Sequence, residues 1–424
     1  MLGAAKEVGR SAFLVDADGT RLLLDYGVSL KREPLFPMHV KPKDVDAVVI
    51  THAHLDHSGF VPSLFLSKGV TAYATEPTFE LSSLLIEDMI KISGFYLPFE
   101  YIDLLAMLKS SKGINYREKF AINGVDVTLH ESGHVVGGAT VVVEHGGKRI
   151  FYTGDINAKG SKMLRNADLD IGDIDLVITE STYSMGEHQP REESERELVH
   201  FANEVVERGG VCFVPAFSVE RAQEIACVLQ DANFKHDIVM DGMALKVNKI
   251  MSKYPTFLKD SELFSKAITG AQWISGWSER RKAAKKPCVI ISPAGMLVGG
   301  AGVFYLQQVA KGEKNGIAMV SYQGEGTPGR ALMEKRVAVI EGKVRKVTAE
   351  IQKFEFSGHS GRSDLFDMLG KIKGNPKVLT VHGDGDACIK FAEEIKEKFG
   401  FEAHAPNAGE TRSEERRVGK ECRL

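Results

Sequence analysis

Cysteine is scarce in this 424-residue chain, and the five that occur (Cys212, Cys227, Cys288, Cys388 and Cys422) are scattered, with no C-x-x-C and no paired spacing. That argues against a disulfide framework and fits a reducing cytoplasm. Charge of one sign is also missing: the formal net charge is -3. A uniformly basic nucleic-acid coat is thereby excluded, though a local basic groove is not. There is no signal peptide and no uninterrupted apolar run long enough to cross a bilayer, so no membrane association is expected. Internal repeats and low-complexity linkers are absent too. What remains is the composition of a soluble globular protein, 43% hydrophobic, with a length that suits one large domain or two ordinary ones.

Both ends read oddly. The opening MLGAAKEVGRSAFLV enters a first strand near its end, as though a few native residues were missing. The closing RSEERRVGKECRL is highly charged and has no apolar periodicity. Residues 411–424 are therefore expected to be a non-native tail with no part in the fold.

Between the ends, short apolar runs recur and each stops at a polar residue: RLLLDYG at Asp25, DAVVITHAH at His52, RIFYTGD at Asp155, DLVITEST at Glu180 and KVLTVHGD at His382. VCFVPAF and CVIISPAG are similar. Runs this rich in Val, Ile and Leu read as strands buried on both faces. Stretches with helix-type spacing, such as PTFELSSLLIEDMIKIS, EESERELVHFANEVVERG and SVERAQEIACVLQ, separate several of them. Strands alternating with helices predict an α/β architecture. In such folds ligands collect at the carboxyl ends of strands, so the polar residues just named belong on one rim.

One of those rims is dense in metal-binding side chains. His52, His54, Asp56 and His57 fall within six positions of THAHLDHSG. In an extended segment leaving a strand, His52 and His54 point the same way. Asp56 and His57 follow where Gly59 permits a tight turn. His134 in ESGHVVGGA, Asp155 in YTGD and His382 in VHGD add further ligands. The set is too large for one tetrahedral ion. Two ions would use all of it: one held by His52, His54 and His134, the other by Asp56, His57 and His382, with Asp155 bridging. That is the arrangement used to hydrolyse phosphate esters or amides. A lone histidine is more often surface or satisfied core than ligand, and GD is a common turn, but H-x-H-x-D-H at a strand end has few bland explanations. Asp25 is either a strand terminus or a carboxylate that orients ligands.

H-x-H-x-D-H, with Asp25 upstream and His134 and Asp155 downstream, resembles the metallo-β-lactamase superfamily, whose fold is an αββα sandwich with metals at one edge of the paired sheets. Because that fold serves many chemistries, it does not set the substrate. Later motifs narrow it. Glu180 in ITEST, His359 in FSGHSGRSD and His382 in TVHGD are similar to three motifs of the β-CASP nucleases, and PAFSVERAQEI and ISPAGMLVGG resemble segments of their inserted domain. The resemblance runs from residue 2 to about 410. It is nearest to compact archaeal and bacterial members related to the cleavage and polyadenylation endonuclease, and more distant from RNase J. Members with N-terminal KH domains are not expected, because this chain starts at the catalytic domain. Gly242 in MDGMA stands where many relatives have serine.

The resemblance implies an α/β fold: an αββα sandwich from residues 1–180 and 346–410, with an inserted α/β β-CASP domain over 181–345. It implies a metal-dependent ribonuclease of RNA processing or decay. The enzyme would be cytoplasmic, act on single-stranded RNA as endonuclease or 5′-to-3′ exonuclease, and be compatible with a homodimer. Two zinc ions are the expected cofactors, with manganese the alternative. Asp56, Glu180 and His359 are the expected catalytic residues, His359 being the general acid held by Glu180. Small residues with free amides at Ser292, Gly295, Ser357 and Ser360 are candidates for gripping phosphates, or else tight turns. The basic runs Arg280 to Lys286, Lys335–Arg336 and Lys343 to Lys346 are candidates for an RNA-facing surface. A metal-dependent hydrolase of a small ester, thioester or lactam is the rival reading, and it would leave Glu180, His359 and the insert idle. A flavo-diiron protein would need an appended flavodoxin-like domain that the sequence lacks. A non-catalytic scaffold would have lost metal ligands that this chain keeps.

Overall fold

The computed structural model describes residues 1–30, 33–66 and 70–413; residues 414–424, most of the expected non-native tail, lie outside the described residues. Two sheets stack face to face. The first runs Phe13–Ala17, Thr20–Leu24, Ala47–Val49, Thr71–Ala74, Ser111–Gly113, an antiparallel hairpin at one edge followed by parallel neighbours. The second opens with an antiparallel meander, Lys119–Ile122, Val125–Glu131, Ala139–His145 and Lys148–Tyr152. It continues in parallel through Leu176–Glu180, Lys377–Val381 and Ala403–His404.

The two-residue period of a strand sorts the side chains. Val141 and Val143 join Val127, Leu129, Leu22 and Val49 between the sheets, whereas Val142 faces outward into a separate cluster with Leu365, Leu369, Phe391 and Ile395. Those last four lie on helices Arg362–Lys371 and Gly385–Phe399, which cover the second sheet. Helices Glu76–Ser93 and Tyr101–Lys109 cover the first with Phe79, Ile86, Met89, Leu104 and Met107. The former starts where Thr75 accepts a hydrogen bond from the Thr78 amide and Pro77 occupies the first turn. The result is the expected αββα sandwich.

After Glu180 the chain builds a second unit around a six-stranded parallel sheet, in the order Gln272–Ile274, Ile238–Asp241, Cys288–Ser292, Val211–Pro215, Gly316–Met319, Glu350–Lys353. VCFVP and CVIIS are buried at every residue, as the apolar runs predict for strands sandwiched between helices. One boundary moves. Glu350–Lys353 pairs in parallel with Gly316–Met319, so the inserted sheet gains its last strand beyond the expected junction at 345. The charged run Lys343–Lys346 is one strand of an exposed hairpin with Val337–Ile340. Phe354 and Phe356 carry the chain back toward the sandwich.

The two units share one core. Ala53 and Val136, each next to candidate ligands of the sandwich, pack in the same cluster as Val214, Ala216, Val219 and Ile225 of the insert. The insert is thereby seated on the metal-rich rim. Among the described residues no helix is long and apolar enough to cross a membrane.

Candidate metal centre

Asp25, His52, Asp155, Glu180 and His382 sit where strands end, and the local backbone explains why they converge. Thr20–Leu24 stops at Asp25, which takes a left-handed conformation with φ of 57°. Gly27 follows, and a β-carbon there would lie 1.8 Å from the Asp56 carbonyl oxygen. The glycine lets the short helix Leu55–Ser58, carrying Asp56 and His57, lie directly on the strand end. Glu180 is opposite Val381 in parallel register, which brings His382 beside it, and the Ser181 amide donates to the His382 carbonyl.

Two clusters of predicted ligands result, and Asp155 belongs to both, as it does to a third group with Glu180 and His359. His52 Nε2 and His134 Nε2 each stand 3.2 Å from His54 Nδ1. Each is also 3.6 Å from Asp155 Oδ2. On the other side His57 Nε2 is 3.2 Å and His382 Nδ1 3.3 Å from Asp155 Oδ1. His382 Nε2 is 3.3 Å from Asp56 Oδ2. All seven predicted ligands are brought together, in the two expected groups.

The surrounding hydrogen bonds fix which ring nitrogens carry protons. Asp25 is fully buried and accepts four bonds: from the Thr51 amide at 2.7 Å, Thr51 Oγ1 at 2.8 Å, His57 Nδ1 at 2.7 Å and Tyr152 Oη at 2.8 Å. Thr51 Oγ1, having given its proton to Asp25, accepts from His52 Nδ1 at 3.1 Å. His134 Nδ1 donates to the Gly358 carbonyl at 2.7 Å. His52 and His134 therefore aim unprotonated Nε2 atoms inward, the orientation in which imidazole ligates a metal, and His57, its Nδ1 donating to Asp25, turns its Nε2 the same way. Asp155 Oδ1 is buried and makes no hydrogen bond. Convergent nitrogen lone pairs around an unsatisfied buried carboxylate oxygen are the donor set of a divalent cation, so these residues fit the expected metals.

The electrostatics separate the two clusters. Burial, reinforced by neighbouring imidazoles, holds His52 and His134 well below the ordinary histidine value, in the neutral form that coordinates metal. Burial opposes charge on His57 and His382, but Asp155, with Asp25 for the first and Asp56 for the second, outweighs it and raises both. Asp155 is itself held well below the usual carboxylate range against its burial by His382, His57 and His359.

His359 stands at the open side of this centre, its side chain 20% exposed. Its Nδ1 donates to the buried Glu180 carboxylate, 2.9 Å from Oε2 and 3.1 Å from Oε1, and its Nε2 is 3.9 Å from Asp155 Oδ2. Burial works against its charge, yet Glu180 and Asp155 push it up to about 9. Glu180 also accepts the Ile156 amide at 2.7 Å, which fixes the carboxylate on the Asp155 loop.

The expected phosphate-gripping residues fare differently. Ser360 is fully buried; its hydroxyl accepts the Ala158 amide at 2.9 Å and its amide donates to the Ile156 carbonyl at 2.8 Å. Ser292 is fully buried with its hydroxyl donating to the Pro293 carbonyl, and Gly295 is buried against Ser321 and Phe217. The Ser292 and Ser360 hydroxyls are thus engaged inside the fold, and the Gly295 carbonyl accepts from Gln323 Nε2 at 2.8 Å. Ser357 alone is partly accessible, and its hydroxyl accepts the His359 amide at 3.0 Å. Among the basic runs, Arg280 is spent on Asp241 at 2.6 and 2.9 Å and Lys286 on Asp237 at 2.6 Å. Arg336 donates to the Ala349 carbonyl at 3.0 Å.

Sequence reading missed Thr51 and Tyr152, which complete the Asp25 network, although each lies within three residues of a ligand. It also missed Tyr183 and His188, whose rings stand 4.6 Å apart, with Tyr183 5.9 Å from His359.

An αββα sandwich with paired His/Asp clusters able to hold metal ions defines a metallo-hydrolase. Residues 5–180 match the model of the metallo-beta-lactamase superfamily, residues 222–332 the Beta-Casp domain, and residues 344–406 the Zn-dependent metallo-hydrolase RNA specificity domain. RNase aCSPSF2 of Saccharolobus solfataricus is 35% identical over 414 residues, spanning 97% of this chain and 84% of that protein. Probable RNase MJ4 of Methanocaldococcus jannaschii is 34% identical over 420 residues, spanning 96% and 98%. The transcription termination factor FttA of the same organism is 35% identical over 445 residues, spanning 96% of this chain and 70% of that protein. A crystal structure of a protein of unknown function from Enterococcus faecalis superposes with a TM-score of 0.63 at 15% identity, covering 96% and 97% of the two chains, a likeness of fold. The chain belongs to the β-CASP ribonuclease family of the metallo-β-lactamase superfamily.

Proposed function

We propose that the chain is a two-zinc ribonuclease that hydrolyses phosphodiester bonds of single-stranded RNA. One ion would be held by His52, His54 and His134, the second by Asp56, His57 and His382, with Asp155 shared. The observation that carries this reading is the Asp155 carboxylate, whose two oxygens face the two clusters and of which Oδ1 has no hydrogen-bond partner. The histidine-rich donor set favours zinc over manganese. Such ions supply an activated water and offset the charge of the phosphate oxygens.

The protein's own residues do the rest. Asp25, through Thr51 and His57, holds the imidazoles in the tautomer that ligates. Glu180 holds His359 with Nδ1 protonated and Nε2 aimed across Asp155, so that Nε2–H can pass its proton to the leaving 3′ oxygen as the P–O bond breaks. Most of the ligands are buried, with His52 1% and His57 0% exposed, while the Asp56 side chain stays 32% exposed. The ribonuclease relatives and the RNA specificity match support RNA over a small ester, thioester or lactam.

The test follows an internally labelled and a 5′-labelled RNA through time, beside a chromogenic lactam. Cleavage of RNA and not of the lactam is expected. Mononucleotides from the outset would mark an exonuclease and discrete internal fragments an endonuclease. Lactam turnover with intact RNA would overturn the reading.

A further inference from the structure

The turn that carries His359 belongs to no helix or strand. Ser360 and the Ser357 hydroxyl hold it from the sandwich side. From the other side it is held by Arg191, the first residue of helix Arg191–Glu207 in the insert. Arg191 Nη2 donates to the Ser357 carbonyl. The guanidinium lies over the Phe356 ring, 5.2 Å from its centroid. Its Nη1 is 3.5 Å from Glu224 Oε1. Glu224, 1% exposed, is paired in turn with Arg221, which also lies over Phe356, at 6.0 Å. Two guanidiniums of the insert thus clamp Phe356 and Ser357, the residues that lead into the Gly358 carbonyl on His134 and the His359 imidazole on Glu180.

We infer that Arg191 is a positioning residue for proton transfer, coupling the seating of the insert to the aim of His359 Nε2. The inference rests on the ribonuclease reading and on His359 as proton donor. Arg191 touches neither the reacting atoms nor a predicted ligand, and it acts through the turn. A donor must come within hydrogen-bond reach of the oxygen it protonates, and a misplacement of about 1 Å costs roughly 10²-fold. Releasing one of the turn's attachments is a displacement of that order. The Glu224–Arg221 pair beside Arg191 also explains why the contact is specific. Arg191 faces a carboxylate that is already fixed by Arg221, so one arm of its fork donates to Ser357 while the other lies in ion-pair range of Glu224. Removing Arg191 leaves Glu224 paired with Arg221, and the Arg191 side chain is 20% exposed, so the variant keeps a compensated core.

The experiment compares an ordinary RNA with the same RNA carrying a 3′-bridging sulfur at one linkage. In the second substrate the P–S bond breaks and the thiolate departs without needing a proton. On ordinary RNA, Arg191→Ala should lose about 10–100-fold in kcat with KM nearly unchanged, and on the sulfur linkage it should approach the wild-type rate, as should His359→Ala. Arg191→Lys, which keeps a donor for Ser357 but not the fork, should fall between. Metal content and melting temperature should match wild type. An equal loss on both linkages, or a loss of metal, would overturn the positioning role while leaving the ribonuclease reading intact. Failure of the wild-type protein to cleave either substrate would instead overturn that reading, and failure of sulfur to rescue His359→Ala would overturn the donor assignment on which this inference depends.

Discussion

Replacing Asp25 by Asn tests whether the buried carboxylate organises the metal ligands or merely ends a strand. Asn tolerates the left-handed backbone there, so the change isolates the hydrogen bonds. Oδ2 accepts from Thr51 Oγ1, His57 Nδ1 and Tyr152 Oη, and Oδ1 from the Thr51 amide. Whichever way the amide is turned, its NH2 meets donors: one if it faces the Thr51 amide, three if it faces the other side. The less costly orientation still loses one charge-assisted bond outright and neutralises the partner of three others. Each bond to a charged group is worth about 1.5–3 kcal/mol, so a destabilisation on the order of 3–5 kcal/mol is expected. The consequence for metal is larger at the second cluster, because His57 bonds Asp25 directly whereas His52 reaches it through Thr51. Disturbing such a supporting partner typically costs about 10–100-fold in metal affinity. The assay titrates metal-free protein with zinc against a competing chelator. The account expects two binding phases in the wild type and a weakening of one by that factor in Asp25→Asn, with a lower melting temperature. Two phases at wild-type affinity with unchanged melting would refute the reasoning.

Three further outcomes are expected. His359→Ala should lose about 10²–10⁴-fold in cleavage rate with metal retained, Glu180→Gln should lose less, and the double variant should fall little below His359→Ala; a metal site emptied in His359→Ala, read by elemental analysis, would make it a ligand instead. Glu220 is buried at φ of 72° with neither carboxylate oxygen bonded, and burial first, then Glu224, push its carboxyl up to about 8 against the pull of Arg221. The folded protein then keeps a proton that the unfolded chain releases near pH 4, so this group's contribution to stability falls as pH rises from there to about 8. Glu220→Gln should raise stability by a few kcal/mol near pH 9 and change it little near pH 4, measured by chemical denaturation across that range. Ser360→Ala should cost about 1 kcal/mol of stability through the lost bond to the Ala158 amide; a selective rise in KM for RNA with unchanged stability would restore it as a phosphate contact.

What the sequence made legible follows distance along the chain. His52, His54, Asp56 and His57 are near neighbours, so periodicity and turn chemistry alone bring them to one strand end. The buried runs likewise announce the parallel sheets, because a strand covered on both faces has no polar alternation to hide it. His382 and Glu180 come together only through a strand pairing between residues about 200 apart, which no local pattern encodes; the family motifs supplied it. Ser292, Gly295 and Ser360 were ambiguous because small residues beside glycine read alike whether an amide grips a ligand or closes a turn. Burial decides between these, and it is a tertiary property. Arg191 escaped notice for the same reason: its partners Ser357 and Glu224 lie on other elements, and an arginine at a helix start otherwise reads as a solvated charge.

The central claim is that two ions, shared through Asp155, make this chain a ribonuclease. Metal-free protein titrated with zinc while cleavage of a labelled RNA is followed tests it most directly. The account expects activity absent without metal and saturating at two equivalents per chain, with Asp155→Asn unable to reach either the second equivalent or the wild-type rate. Full activity at one equivalent, or RNA cleavage that survives complete removal of metal, would contradict it.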